Sequence, residues 1–435
     1  MNLTFYLAAV FFFFSTPLHA QLNKTFERMF NTFLRDDLTS ETPFGRAFDD
    51  AARDANSVLV PAFNSLLASN VASFPLTSTV AGIYFDLSSG DPTMITESLG
   101  PIYAETAETV GRNKLNAGFN FAHYNLAELR GLALENIRFT FTSDDLSGDG
   151  TLGDFPLETE TIDIFPDLDI NANTFLIFAT YGVTSRLDVG VAVPIINLSI
   201  TGEARAVINS TSFLLAGIAV NNFNNNFLNP DLEDTFTYNQ SATGLGDVAL
   251  KLKYTFLRGR SLDLAALVDI RFPTGDEKEF LGTGKTNVKF SWIMSRKLGS
   301  FAPHLNLTYD RRGADFESSE LEIYAGFDQK LSSRVTFVLD FLGEYDLDAD
   351  KTIALFPGTR RLVFNQSLQG PAQFERDIEL SNIPDYNRDN TLNAAVGFKC
   401  ALSKRALIMA NVLVPLQDGG LRSSIVPIVG AAITF

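Results

Sequence analysis

The stretch "DVALKLKYTF", Asp247–Phe256, decides the fold. Val248, Leu250, Leu252, Tyr254 and Phe256 alternate with Ala249, Lys251, Lys253 and Thr255. Successive side chains of a strand point to opposite faces, so one face here is wholly apolar and the other carries two lysines. In a soluble sheet the apolar face meets a core. In a membrane barrel it meets lipid, and the lysines meet an enclosed lumen. One strand fits both readings, and the rest of the chain separates them.

The same period recurs from Leu115 to the C-terminus. Leu187, Val189, Val191 and Val193 alternate with Asp188, Gly190 and Ala192, and Val288, Phe290, Trp292 and Met294 with Asn287, Lys289 and Ser291. Such repetition predicts strands rather than helices. Connection lengths alternate as well. Short ones at Gly182–Ser185, Leu257–Arg260, Leu298–Ser300, Leu331–Arg334 and Leu402–Arg405 are separated by long ones at Asn209–Leu245, Pro273–Lys285, Arg311–Ser318 and Tyr345–Asn390. Barrels of the bacterial outer membrane have short periplasmic turns and long outer loops, whereas a sandwich has no reason to sort loop length by parity. Following the parity gives an all-β antiparallel barrel of about twelve strands, or about fourteen if Leu132–Thr142 and Asp163–Ile170 add a hairpin.

Composition agrees. Hydrophobic residues make up 46% of 435, which excludes disorder as the main state. A net charge of −17 argues against a nucleic-acid partner, which requires a basic footprint. Phe5–Phe14 is an apolar run too short to span a bilayer as a helix; with Leu18-His19-Ala20 it reads as a signal peptide over residues 1–20, cut before Gln21. Residues 21–111 carry helical stripes (Phe26, Met29, Phe30, Phe33, Leu34, then Phe48, Ala51, Ala52, Ala55, Leu59, interrupted by Pro61) and are expected to form a mostly helical periplasmic or lumen-plugging segment. Val80–Leu87 and Thr93–Glu97 suggest a small hairpin. Residues 112–435 form the transmembrane barrel. The expected location is the outer membrane of a Gram-negative bacterium, with lipid and lipopolysaccharide as partners. The alternating terminus ends in Phe435, which resembles the signal read by the barrel-assembly machinery.

Parity assigns an inward face. Its candidate lumen-lining residues are Lys251, Lys253, Asp263, Asp269, Arg271, Lys289, His304, Glu320, Glu322, Asp340, Lys399 and Arg422. The same face carries Leu267, Ile293, Val338, Leu342, Leu407, Met409, Leu413, Val426 and Ile428. Apolar groups facing open water carry a hydration penalty, so either residues 21–111 pack inside or the path accepts apolar solutes. "GTGKT", Gly282–Thr286, is not a phosphate loop, because Glu279 stands where that motif needs glycine and a strand follows. Asp145 and Asp149 in "DDLSGDGTLGD", and Asp385 and Asp389 in "DYNRDN", have partial calcium-loop spacing; solvated acidic turns are the commoner reading, and no other cofactor is expected. With Cys400 the single cysteine and only His123 and His304 beyond the leader, no catalytic or transition-metal constellation is found, and the chain does not read as an enzyme.

The stretches "SFPLTST", "ESLGPIYAETAETVGRNKLNAGFNF", "YGVTSRLDVGVAVPI", "GLGDVALKLKYTF" and "ALVDIRFPTGD" resemble the MetA-type outer-membrane transporters of the phenol meta-degradation pathway. That family is distantly similar to the long-chain fatty-acid and aromatic-hydrocarbon channels. The resemblance implies a barrel that passively conducts small hydrophobic or amphipathic, aromatic or fatty, solutes. The alternative is a non-transporting structural or adhesive barrel with a closed lumen.

Overall fold

The structure, a computed structural model, describes residues 21–42, 45–72, 85–86, 93–94, 99, 103–153, 155–259, 262–313, 318–348, 358–366, 372–386 and 388–435. The leader expected over residues 1–20 lies outside them, as does "SFPLTST".

A closed barrel of 12 antiparallel strands carries the chain across the membrane. In chain order they are β1 (Leu115–Leu129), β2 (Asp169–Gly182), β3 (Leu187–Asn209), β4 (Val248–Arg258), β5 (Asp263–Phe272), β6 (Asn287–Ser295), β7 (Phe301–Arg311), β8 (Glu320–Lys330), β9 (Val335–Asp346), β10 (Thr391–Ala401), β11 (Ala406–Pro415) and β12 (Val426–Thr434). Each pairs with the next, and β12 closes on β1 in the register Val429↔Phe121. Leu115 N–H donates to Phe435 O at 3.1 Å and Phe435 N–H to Leu115 O at 2.8 Å, so both ends of the barrel chain meet at the rim carrying the short turns. Closure leaves no unpaired edge within lipid, which an apolar medium requires.

The outward face of "DVALKLKYTF" is exposed at Leu250, Leu252, Tyr254 and Phe256, while Lys251 and Lys253 are buried inside the ring. Phe290, Trp292, Phe398, Ile408 and Val429 continue this exposed apolar belt around the barrel. An apolar surface of that extent is stable against hydrocarbon, not water. Along β3 the outward face changes from Val189, Val191, Val193 and Ile195 to Asn197, Ser199, Thr201 and Glu203, which marks the outer limit of the lipid band. The 23 residues of β3 rise well beyond it, since at about 3.3 Å per residue a strand crosses a band ~25 Å tall in about ten residues even when tilted.

That overhang corrects two loop assignments. Within Asn209–Leu245 a further strand, Glu233–Leu245, continues outward from β4 and pairs with β3 from Val207↔Glu233 to Ile195↔Leu245. Within Tyr345–Asn390, Thr359–Gln366 pairs with Ala372–Glu379. Both stand in water, so "EDTFTYNQSATGL" lacks the apolar face that the lipid-facing strands share. The doubtful hairpin is present as Phe139–Thr142 with Thr161–Phe165, but it sits above the lipid band and adds no membrane strand.

Helices α1 (Thr25–Asn31), α2 (Asp49–Asp54) and α3 (Val60–Ala72) cap the outer end of the barrel. The overhang of β3 turns Ile196, Leu198, Ile200, Ala204, Ala206 and Ile208 inward, and these share one core with Phe26, Met29, Phe30, Phe33 and Leu67 of the cap. Phe30 packs edge-on against Phe139 and Phe141 at 6.0 and 5.7 Å, and Phe63 against Phe139 at 5.6 Å. Burying each such side chain stabilises the docked cap by about 1.5–3 kcal/mol before entropy is counted. Pro61 does not end the helix as the sequence suggested. A wide turn, Ala55–Leu59, joins α2 to α3, with Val60 N–H bonded to Ala55 O. The widened turn changes the carbonyl register just where Pro61 brings a ring and no N–H. Of the small hairpin, Phe85–Asp86 pairs with Thr93–Met94, and its remainder lies outside the described residues.

Candidate functional site

Below the cap, residues 103–111 cross the periplasmic half of the lumen as an extended strap. It starts at β9 and ends at the β2–β3 turn. Tyr103 N–H donates to Asp340 Oδ2 at 3.0 Å. Asn306 on β7 grips the next link twice, accepting from Glu105 N–H at 2.6 Å and donating to Glu105 O at 2.8 Å. The Glu105 carboxylate lies 3.6 Å from Lys251 Nζ and 3.3 Å from Lys253 Nζ. Thr255 Oγ1 donates to Ala107 O at 2.5 Å, and Val110 N–H to Asp188 Oδ2 at 2.9 Å. Lys297 pairs with Glu108. The strap lands on Gly182, where a Cβ would collide with the Gly111 carbonyl oxygen, so only glycine permits this approach. Tyr103, Ala104, Glu105, Ala107, Thr109 and Val110 are all buried between the walls.

The two lysines of the opening stretch therefore face a carboxylate from another part of the chain. Lys251 is also 4.0 Å from Asp269 across the β4–β5 ladder. Removing charges from water is costly unless each meets a counter-charge, and Glu105 and Asp269 supply the counter-charges here, Glu105 from a segment remote in sequence.

A second cluster lies beside the strap. His304 Nε2 is 2.7 Å from Asp340 Oδ1 and its Nδ1 is 3.5 Å from Asp328 Oδ1. Lys399, fully buried from β10, donates to Leu99 O at 3.5 Å. Nearer the cap is a third cluster. Lys289 Nζ donates to Glu322 Oε1 at 2.5 Å and lies 3.1 Å from Asp310 Oδ2. Arg312 bridges Asp310 at 3.2 Å and Glu320 at 2.5 Å. Ligand oxygens of Asp310, Glu320 and Glu322 come within 4.8 Å of one another, but the Lys289 and Arg312 cations sit among them and supply the counter-charge.

Arg271 is buried on the same wall. Two inward-face candidates lie at the rims instead. Asp263 accepts from Gly259 N–H at 3.1 Å in the β4–β5 turn. Arg422 sits at the outer rim, 2.7 Å from Asp418 and also against Glu128. Asp188, Asp328 and Glu344, which accepts from the Tyr324 hydroxyl at 3.1 Å, belong to the site and are not among the sequence candidates. Strand parity places all three inward, which was the available signal. Glu105 had no such signal, because its segment has no period.

The opposite wall is mostly apolar, with Asn411 buried between Met409 and Leu413. Leu407, Met409 and Leu413 of β11 and Val426 and Ile428 of β12 are buried, and Leu413, Val426 and Ile428 share a cluster with Tyr103, Leu342 and Tyr324. The lumen thus has a charged side, on β4–β9, and an apolar side, on β11 and β12.

Asp145, Asp149 and Asp389 of the outer loops accept hydrogen bonds within the protein. Asp145 accepts from Ser147 Oγ at 3.0 Å and from Gly148 and Gly150 N–H at 2.6 and 2.7 Å. These bonds, led by that from Gly150, hold its carboxyl below the usual range. Asp149 accepts from Thr151 N–H at 2.7 Å. Both oxygens of Asp389 accept from Arg130, at 2.7 and 3.1 Å. Asp385 lies a few residues before Asp389 on the exposed surface.

The closed ring, the outward apolar belt and the filled lumen define an outer-membrane β-barrel. The chain belongs to the family described as "Putative MetA-pathway of phenol degradation", whose model matches residues 167–418, and it is located in the outer membrane of a Gram-negative bacterium. Among solved structures, an outer-membrane channel of Pseudomonas putida F1 is 11% identical over 76% of this chain and 98% of its own, with a TM-score of 0.41. A Pseudomonas aeruginosa FadL homologue is 11% identical over 83% and 98%, with a TM-score of 0.35. The Ralstonia pickettii toluene transporter is 10% identical over 74% and 89%, with a TM-score of 0.24. No curated protein matches the chain.

Proposed function

We propose that this barrel passively conducts small hydrophobic or amphipathic solutes, aromatic or fatty, inward across the outer membrane. The reading rests on one observation. The inner wall is divided into a charged side around Lys289, Glu320 and Glu322 and an apolar side around Leu413, Val426 and Ile428. A ring or short chain with one polar group fits such a path, since its apolar part leaves water while its polar end stays hydrogen-bonded. The family's description, which concerns phenol degradation, supports the same solute class. Mixed charges that pair with each other do not favour one ion sign.

In this reading the strap is a gate. It is held by polar contacts, which exchange for water or solute more readily than a dry apolar seam does. Solute descending the apolar wall reaches Tyr103 first and competes for its place. No step in this reading is catalytic.

The test uses porin-deficient cells whose lipopolysaccharide leaflet retards apolar solutes. Cells expressing the wild-type chain should take up a labelled aromatic alcohol faster than cells without it, and Asn306→Ala should raise the rate further. Equal rates with and without the protein would leave a non-transporting, closed barrel.

A further inference from the structure

The nitrogen of Gln21 donates to Glu279 Oε1 at 2.8 Å, and Leu22 N–H donates to Glu279 Oε2 at 3.3 Å. Glu279 is only 3% exposed although it belongs to the outer loop between β5 and β6. Its neighbours Phe280 and Leu281 are buried, and so is Leu22. This is the glutamate that spoils the phosphate-loop pattern. A buried carboxylate costs free energy unless a cation or several donors meet it.

Gln21 is also the residue that follows the leader pattern Leu18-His19-Ala20. In the uncut chain its nitrogen is a neutral peptide amide. Hydrolysis of the Ala20–Gln21 bond consumes one water. The hydroxyl goes to the Ala20 carbonyl carbon and a hydrogen to the Gln21 nitrogen, leaving a carboxylic acid on one fragment and an amine on the other. At neutral pH that amine is largely protonated, because an α-amino group titrates near 8. Removal of the leader thereby turns the donor facing Glu279 into a cation without moving it.

We propose that Glu279 is a receptor for the α-ammonium of the mature chain: leader removal before Gln21 completes a buried ion pair that latches the helical cap to the β5–β6 loop. The carboxylate already has the right geometry, with one oxygen on Gln21 and the other on Leu22. Charge-assisted hydrogen bonds are roughly twice as strong as neutral ones, so cleavage tightens a contact that the precursor makes only weakly. In the uncut chain Gln21 has a left-handed backbone, φ 49°, at the start of the turn leading into α1. The pair joins residues 258 apart in sequence. It also occupies the amine that would otherwise attack Cδ of the Gln21 side-chain amide and expel ammonia, giving pyroglutamate, a lactam whose nitrogen carries no charge.

The test uses the full chain, exported and purified from outer membranes. N-terminal sequencing and intact mass should show a chain starting at Gln21 with a free amine; another start, or pyroglutamate, overturns the proposal. Inserting Gly-Ser between Ala20 and Gln21 keeps the Gln21 N–H but moves the ammonium two residues away. In that variant, and in Glu279→Gln, protease should cut the 21–72 segment about tenfold faster, a ratio equal to about 1.4 kcal/mol. Combining the two should add nothing further. If the insertion is harmless while Glu279→Gln is not, Glu279 only caps backbone amides and the receptor role falls. A wild-type readout stands apart from variant folding: an amine-acylating reagent should label the native α-amine at least about tenfold more slowly than that of the unfolded chain, and equal rates refute the pairing.

Discussion

Asn306 holds Glu105 by both of its backbone groups, its Oδ1 accepting the N–H at 2.6 Å and its Nδ2 donating to the carbonyl at 2.8 Å. An asparagine used this way acts as one more rung of sheet for a chain that has no strand partner. The strap crosses the lumen without secondary structure, so its buried amides need such partners.

Asn306→Ala should therefore loosen the strap more than it destabilises the barrel. Leaving a buried backbone group unpaired costs about 1–3 kcal/mol. Hydrogen exchange at Tyr103–Gly111 should speed up by at least about tenfold, with exchange in β7 unchanged. Unchanged exchange in the strap would show that Asn306 does not hold it.

Glu105 serves two lysines, so the pair energies are unequal. Lys251→Met leaves Glu105 with Lys253. Glu105→Gln takes the carboxylate from Lys253 and leaves Lys251 with Asp269, at 4.0 Å. Breaking a buried pair from one side costs about 3–5 kcal/mol, so Glu105→Gln should lower the unfolding temperature in detergent further than Lys251→Met does. Lys253→Met added to Glu105→Gln should recover part of the loss. Equal effects of the single variants would show that the lysines are hydrated.

Asp144 ties the barrel loops to the cap, accepting Asp50 N–H at 3.0 Å at the start of α2. Burial pushes its carboxyl up to about 6, partly opposed by the backbone N–H groups it accepts. A raised carboxyl favours the protonated form in the folded state. Its contribution is full below the unfolded value, near 3.9, and is lost as pH rises through about 6. Cap docking, read as resistance of the 21–72 segment to protease, should be stronger at pH 5 than at pH 7.5. The difference is about 1 kcal/mol, discounted because the group is partly solvated. Asp144→Asn should flatten that profile between these pH values.

Trp292 is the single tryptophan and is 61% exposed on the outward face of β6, with Phe256 edge-on at 6.0 Å. Lipids brominated on their acyl chains should quench its fluorescence in reconstituted membranes, whereas aqueous iodide should not. Trp292→Arg should cost about 2–4 kcal/mol if the site is near the bilayer midplane, read as a lower yield of folded, heat-modifiable barrel.

Phe435 is 61% exposed and completes the β1–β12 seam through its backbone. That exposure gives the side chain little packing role in the folded barrel. Phe435→Ala should reduce assembled barrel in cells several-fold while leaving the unfolding temperature of the assembled fraction within a few degrees. A matching fall in both would assign the ring a packing role instead of a targeting one.

The sequence by itself determined the barrel. Side chains alternate with period two wherever one face meets lipid and the other an enclosed interior, so Leu250 and Lys251 report their faces from nearest neighbours alone. The same parity located Lys253, Lys289, His304, Glu322, Asp340 and Lys399, and turn lengths gave the order and direction of the strands. The strand Glu233–Leu245 escaped this reading because it leaves the lipid and carries polar residues on both faces. Continuation of the helix through Pro61 escaped because a widened turn absorbs the proline, and propensity alone does not reveal that. Tertiary structure decided which charges meet. Glu105 reaches Lys251 and Lys253, and Glu279 reaches Gln21, across long loops whose closure depends on the whole chain being folded. Local periodicity carries no trace of such contacts, because an aperiodic segment is positioned by its partners and not by its own pattern.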